Sequence, residues 1–247
     1  IIPPSIPMIV YAVMAQSSVV QLFVAGVVPG IIGGFLMMFA AYIYARRKNL
    51  PIEENFNLVN LRKTAKEAAL AFLLPIIILG GIFGGVVTAT EGAGLAVVAA
   101  LIIGLIYREF DFKRLYQAAT EGAIQTAAVM LLVAASVLLG EFLTVEQIPQ
   151  KVAESIIDMT QNKYAVLAIL NVFLLIIGFF LHSVAAIILT VPIVMPLVNA
   201  VGIDPVHFGI IVTLNLAIGQ QTPPVASVLV TACSVAKADI WDVTRAN

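Results

Sequence analysis

Long apolar runs, rather than alternating positions, dominate this chain. Residues 20–45 form a first run that ends at Arg46, Arg47 and Lys48. Two more, at 70–87 and 90–107, are divided by the polar "TATE" and closed by Arg108, Lys113 and Arg114. A small-residue-rich run fills 118–145, and 164–200 far exceeds the ~20 residues that one helical span requires. That last run is interrupted at Gly178, at His182 and Ser183, and at Pro192 and Pro196, so two segments joined inside a membrane are expected. A bilayer leaves unpaired backbone groups without water, which restricts spanning elements to helices or closed barrels. Continuous runs without ten-residue alternation predict helices.

Between the runs lie shorter elements. "EENFNLVNLRKTAKEAAL" sets Leu58, Leu61 and Ala65 at helical spacing, with Arg62, Lys63 and Lys66 mostly on the other side; this predicts an interfacial amphipathic helix over 56–70. "QIPQKVAESIIDMTQ" is a second amphipathic stretch. Residues 1–15 are apolar but broken by Pro3, Pro4 and Pro7, as half of a discontinuous helix would be. After the polar loop "GIDPVHFG", the run 208–218 meets "GQQTPP" and continues to Ala236. Nine of the thirteen Lys and Arg fall within 46–66 and 108–114, so the positive-inside rule sets both connections on the cytoplasmic side and "TATE" toward the other side or in a re-entrant dip.

Composition agrees: 61% of the 247 residues are hydrophobic and 11% charged, with a mean hydropathy of +1.06. This is the composition of an all-α integral membrane protein. A net charge of −1 excludes a basic nucleic-acid surface, and the lone Cys233 excludes an internal disulfide.

Sliding the chain by about 220 positions lays "PPSIPMIVYAVM" on "PPVASVLVTACS", matching Pro3, Pro4, Val10 and Ala12 to Pro223, Pro224, Val230 and Ala232. One further residue of offset lays "VVQLFVA" on "IWDVTRA". Paired broken helices in two repeats point to the binding site of a secondary transporter. On this alignment residues 1–26 are the end of a first repeat, and the chain is expected to be a fragment of a protein nearly twice as long.

A proline in a helix interior costs roughly 3 kcal/mol or more and frees the carbonyls it cannot serve. Freed carbonyls and a hydroxyl form the hard oxygen cage that suits Na+. In "GQQTPPV" the candidates are the carbonyls of Gly219 to Thr222 and the Thr222 hydroxyl, with Ser5 as counterpart in "IIPPS"; the alternative is a plain kink or tight packing. Asn215, Gln220 and Gln221 supply amides for a polar substrate or for interhelical bonds. His182 and Ser183, with Gly178 nearby, mark a second break in mid-membrane. His182 is a proton-sensitive switch or a neutral imidazole bonded to a carbonyl, and Ser183 and its neighbouring carbonyls are cation-ligand candidates. Glu91 is expected to cap a helix start. Glu141 is either the tip of a re-entrant hairpin or an interfacial residue. His207, after Asp204 and Pro205, belongs to a solvated loop. No H-E-x-x-H, G-x-S-x-G, Walker or zinc pattern occurs, so the chain is not read as an enzyme or ATPase, and an ion gradient is left as the energy source.

At "IIPPSIP", "LFVAGVVPG", "TATE", "IDPVHFGI" and "NLAIGQQTPPV" the sequence resembles the large membrane subunit (DctM-like) of tripartite ATP-independent periplasmic (TRAP) transporters, along essentially all its length. The resemblance implies a sodium-coupled, elevator-type importer of two inverted repeats, each with a helical hairpin and a broken helix. It also implies a bacterial inner-membrane location, a small membrane subunit (DctQ-like), a periplasmic substrate-binding protein (DctP-like), and organic-acid substrates such as dicarboxylates, keto acids or sialic acids. Na+ is then the coupling ion, with no organic cofactor. Expected boundaries are 1–26 for the end of the first repeat, 27–55 for a scaffold helix and 56–70 for a bracing arm. Residues 71–115 follow as scaffold helices, and 116–247 as the second-repeat transport domain. Ser5 stands in the family's "PPS", Thr222 in its "TPP", and Glu91 in the acidic place of "TPTE", with Ala89 for Pro. Departures fall at His182, in place of a common Asp, at Ala226, in place of Gly, and at Gln220 and Gln221, in place of apolar residues. Two rival readings are a proton-coupled carrier using His182 and a structural subunit of a membrane complex.

Overall fold

A computed structural model describes residues 2–49, 57–108, 110–223, 227–236, 241 and 243–244. Among these, every regular element is an α-helix. In chain order they are α1 (Ile6–Met14), α2 (Val19–Lys48), α3 (Leu58–Phe83), α4 (Ala89–Ile106), α5 (Phe112–Val145), α6 (Ile148–Met159), α7 (Lys163–Phe180), α8 (Ser183–Ala200), α9 (Pro205–Gly219) and α10 (Ser227–Ala236). Five are long and apolar enough to cross a membrane, or six with the bent α3. The molecule is a multi-pass helical membrane protein. It divides into two compact units, one holding Ile2–Pro4 and Gly26–Glu121, the other Ser5–Ala25 and the chain from Gly122 onward.

In the unit of 26–121, α3 and α4 form an antiparallel pair joined by a tight turn. Gly85 takes φ +67° there, a left-handed conformation that glycine reaches without steric cost. Across the pair, a Cβ on Gly92 would sit 3.3 Å from the Ile82 side chain, so the absent side chain sets the separation. Thr88 caps α4: its hydroxyl accepts from the Glu91 N–H at 3.3 Å, and the Glu91 carboxylate accepts from the Thr88 N–H at 2.7 Å. This is the capping box, and Glu91 has the capping role expected for it. The amphipathic stretch and the following apolar run share one helical element. They are the two arms of α3, Leu58–Lys66 and Ala68–Phe83, bent by 56°. Phe56, the first residue of the expected interfacial helix, lies outside the described residues. Phe35, Leu36, Met37 and Phe39 on α2 and Ile102 and Leu105 on α4 are exposed, the pattern of surfaces that meet lipid tails.

The other unit has the better-formed core, centred on α8. Its Ile187, Ile188, Val191 and Val198 are fully buried, and α1, α6 and α9 pack around it. Tyr11 fixes α1: its hydroxyl donates to the Pro205 carbonyl at 2.7 Å, and its ring meets Phe208 edge-on. The ring fits because Gly209 has no side chain; a Cβ there would lie 2.5 Å from Tyr11 Cε1. α8 ends in a Schellman turn, with Ile203 N–H donating to the Val198 carbonyl and Gly202 at φ +69°. Asp204 then caps α9 by accepting from the His207 N–H at 2.8 Å, with Pro205 at the first helical position. The expected polar loop is thus short: the turn ends at Asp204, and His207 lies, exposed, in the first turn of α9 rather than in a loop.

The interruptions expected at Pro192 and Pro196 are absent. α8 runs unbroken through Pro192 and Pro196. Pro192 has no N–H for the Ile188 carbonyl four residues earlier, and the Ser136 hydroxyl of α5 donates to that carbonyl at 2.8 Å instead. α5 is one continuous helix of 34 residues with the exposed Glu141 near its end, which agrees with the second of the two readings of that residue.

Candidate functional site

Two breaks in the apolar helices meet in this second unit. One is the link Leu181–His182 between α7 and α8; the other begins at Gln220, where α9 ends. Gly178 and Gly219 bring them together. A Cβ on Gly219 would lie 2.7 Å from both the Cα and carbonyl carbon of Gly178, so the two backbones touch with no side chain between them. One and two turns back along α9 and α7, Asn215 Nδ2 donates to Asn171 Oδ1 at 2.6 Å and to the Ile211 carbonyl at 2.9 Å. Asn171 Nδ2 donates to the Leu167 carbonyl at 2.7 Å. The amide pair and the glycine contact hold the last turns of α7 and α9 in register.

Helix ends of both polarities gather here. The C-termini of α7 and α9 meet at the glycine contact, and each presents carbonyls equivalent to about half a negative charge. Only two residues separate the end of α7 from the start of α8, which presents N–H groups and the opposite sign. The first turn of α10 is tied to the same place, since the Val228 N–H donates to the Gln220 carbonyl at 3.2 Å. Carbonyl ends favour a cation and N–H ends an anion.

The residues singled out in the sequence take these positions. His182 is the exposed N-cap residue of α8, without a side-chain capping bond, and Ser183 beside it is buried. Gln220 is buried, while Gln221 and Thr222 are half-buried. The Thr222 hydroxyl donates to the Ile218 carbonyl at 3.3 Å, and the Thr222 N–H donates to the Gly219 carbonyl at 2.9 Å. The carbonyls of Gly219 and Gln220 therefore each carry one hydrogen bond, which leaves a second lone pair on each. Ser5 is buried at the start of α1, a helix that packs on α8 and α9 rather than forming part of either break. Pro224 and Ala226 lie outside the described residues. Asn171 is a site residue that the sequence motifs do not single out; its one signal is a lone amide within the apolar run "AILNVFLL". No group of three or more His, Cys, Asp or Glu assembles among the described residues, so any cation here would be held by carbonyl and hydroxyl oxygens.

An apolar bundle in which two helix breaks pool their termini is built as a secondary membrane transporter is. The chain belongs to the tripartite ATP-independent periplasmic transporter family, DctM component, whose family model it matches over residues 1–247. It is 42% identical over 246 residues to the isethionate TRAP transporter permease protein DctMQ of Oleidesulfovibrio alaskensis, covering 99% of this chain and 39% of that one. Against the C4-dicarboxylate TRAP transporter large permease protein DctM of Pseudomonas aeruginosa the identity is 39% over 226 residues, 91% of this chain and 53% of the relative. The sialic acid TRAP transporter large permease protein SiaM of Vibrio cholerae is 34% identical over 246 residues, 99% of this chain and 58% of the relative. The chain spans about half the length of the curated relatives it matches. Membership places it among transport components and not among enzymes.

Proposed function

We propose that this chain is the ion- and substrate-binding portion of a sodium-coupled permease. It imports small organic acids, delivered by a periplasmic binding protein, across the bacterial inner membrane. The observation that carries the reading is the Gly178–Gly219 contact, which puts two helix C-termini and two helix N-termini within one site. Na+ fits the carbonyl side: Gly178 is among the last residues of α7, whose carbonyls lack helical donors, and the Gly219 carbonyl and Thr222 hydroxyl keep free lone pairs. Ser183 and Ser5 are further hydroxyl ligands, Ser5 through the repeat. A carboxylate or sulfonate fits the N–H side at α8 and α10, with His182, Asn215, Gln220 and Gln221 as polar neighbours.

The substrates for which the relatives are named support the class: isethionate, C4-dicarboxylates and sialic acid are all small organic anions. A small membrane subunit completes the permease, in keeping with a relative named DctMQ. The division at Ala25/Gly26 and Glu121/Gly122 supports assigning the Ser5–Ala25 and 122–247 unit to the moving, elevator-like part and the 26–121 unit to its scaffold.

The test is uptake by the full-length permease with its partners in proteoliposomes, under imposed Na+ or H+ gradients at a clamped potential. Accumulation of a labelled organic acid driven by Na+, and lost in Thr222→Val with assembly intact, is the expected result. Accumulation driven by H+ alone would overturn the sodium reading and move the coupling to His182. Loss of assembly in Thr222→Val, with wild-type complexes inert toward every acid, would mark a structural subunit.

A further inference from the structure

Among the described residues, two buried side-chain polar atoms have no hydrogen-bond partner, the Ser17 hydroxyl and Gln220 Nε2. Ser17 lies between α1 and α2, in neither of the two breaks. Gln220 differs in three ways. It lies in the break itself, its side chain is 7% exposed, and its backbone is held on both sides, the N–H by the Leu216 carbonyl at 3.0 Å and the carbonyl by the Val228 N–H at 3.2 Å. The backbone at the break is thus fixed, so only the side-chain torsions can re-aim the amide. A buried, unpaired amide donor is a costly feature that persists where something outside the chain supplies the acceptor.

The chemistry of that missing partner is constrained. An NH2 group has donors only, so it repels the coupling cation and takes an electron-rich oxygen. The N-termini of α8 and α10, at the same place, favour negative charge. We propose that Gln220 is a substrate-specificity residue, whose Nε2 donates to an anionic oxygen, carboxylate or sulfonate, of the transported acid. This inference rests on the transport reading above. It predicts that acids able to present such an oxygen at the break bind in proportion to that contact, whereas Na+ binding is indifferent to it.

The experiment uses the full-length permease complex. Uptake of labelled succinate, isethionate and N-acetylneuraminate by the wild type in proteoliposomes first selects a transported probe. Calorimetry on the detergent-purified complex then gives the Kd for that probe and for Na+, in the wild type, Gln220→Leu and Gln220→Glu; Gln220→Met substitutes if the Leu variant fails to assemble. The expected result is a probe Kd about tenfold higher or more in the Leu variant and higher again in the Glu variant, where an anion faces an anion. In the Leu variant Na+ affinity should be unchanged and the melting temperature no lower than wild type. A probe Kd equal to wild type in both variants overturns the inference while leaving transport intact. Tighter Na+ binding in Gln220→Glu with an unmoved probe Kd assigns the residue to the ion shell and also overturns it. A lowered melting temperature alone, with both affinities retained, makes Gln220 a packing residue. A wild type that accumulates none of the probes overturns the transport reading and this inference with it.

Discussion

Gly219→Ala probes the claim that two backbones, rather than side chains, set the geometry of the site. The new Cβ would stand 2.7 Å from Gly178 Cα and C, roughly 0.8 Å inside the ~3.5 Å at which carbon atoms settle. Main chain is the obstacle, so no rotamer change relieves the clash. α7 and α9 must part by about that distance, or one of the breaks must distort. Overpacking of this kind costs about 1–3 kcal/mol, against a gain of at most about 1 kcal/mol from replacing glycine inside a helix. Gly219 is the last residue of α9, where little of that gain is realised. Gly178→Ala is milder, because its Cβ would meet Gly219 Cα at 3.2 Å and Leu216 Cδ2 at 3.4 Å. A methyl group at Gly140 on α5 would meet nothing within 4 Å, so Gly140→Ala is the control. Melting of the detergent-purified full-length complex and gradient-driven uptake should both rank Gly140→Ala at or above wild type, then Gly178→Ala, then Gly219→Ala. Uptake in Gly219→Ala should fall more steeply than stability, since a shift of about 1 Å in a positioned site is costly. Wild-type melting and uptake in Gly219→Ala, or a worse outcome for Gly178→Ala, would refute the reasoning.

Two further substitutions address the frame around the site. Asn215→Leu strands Asn171 Oδ1, so the double variant Asn171→Leu/Asn215→Leu should cost less than the sum of the singles, with a coupling of about 0.6–1.7 kcal/mol in a chemical-denaturation cycle. Additive singles would mean that the 2.6 Å bond carries no energy. Tyr11→Phe keeps the ring on Phe208 but loses the bond to the Pro205 carbonyl, at about 0.5–1.5 kcal/mol. Tyr11→Ala leaves a cavity before Gly209 and should cost about 3–5 kcal/mol in the same assay.

Much of the fold is legible because apolar run length maps onto span length, and because local capping chemistry is written in adjacent residues, as at Thr88 and Glu91. The positions of the two breaks are legible for a similar reason. Leu181–His182 lies where polar residues interrupt an apolar run, and the other coincides with a double proline. Three features are not legible, each on physical grounds. The change of polarity at Lys66 coincides with the 56° bend of α3, but does not show that the two arms remain one helical element. Pro192 and Pro196 suggest interruptions, because the hydroxyl that satisfies Ile188 comes from a residue 52 positions away. The Gly178–Gly219 contact leaves no trace, because an absent side chain does not indicate which backbone it admits.

The bond from Ser136 to Ile188 has a consequence for how the protein is made. An unsatisfied carbonyl in lipid costs several kcal/mol, so α8 enters the membrane with a vacancy that its own sequence cannot fill. Chain order eases this, because Ser136 is synthesised 52 residues before Ile188, so the donor precedes its acceptor. Were the order reversed, the proline-bearing helix would have to wait, with an open carbonyl, for its partner to emerge. The proline in α8 and the serine in α5 are in this sense one device, whose two parts are delivered in the order that spares the membrane an exposed intermediate.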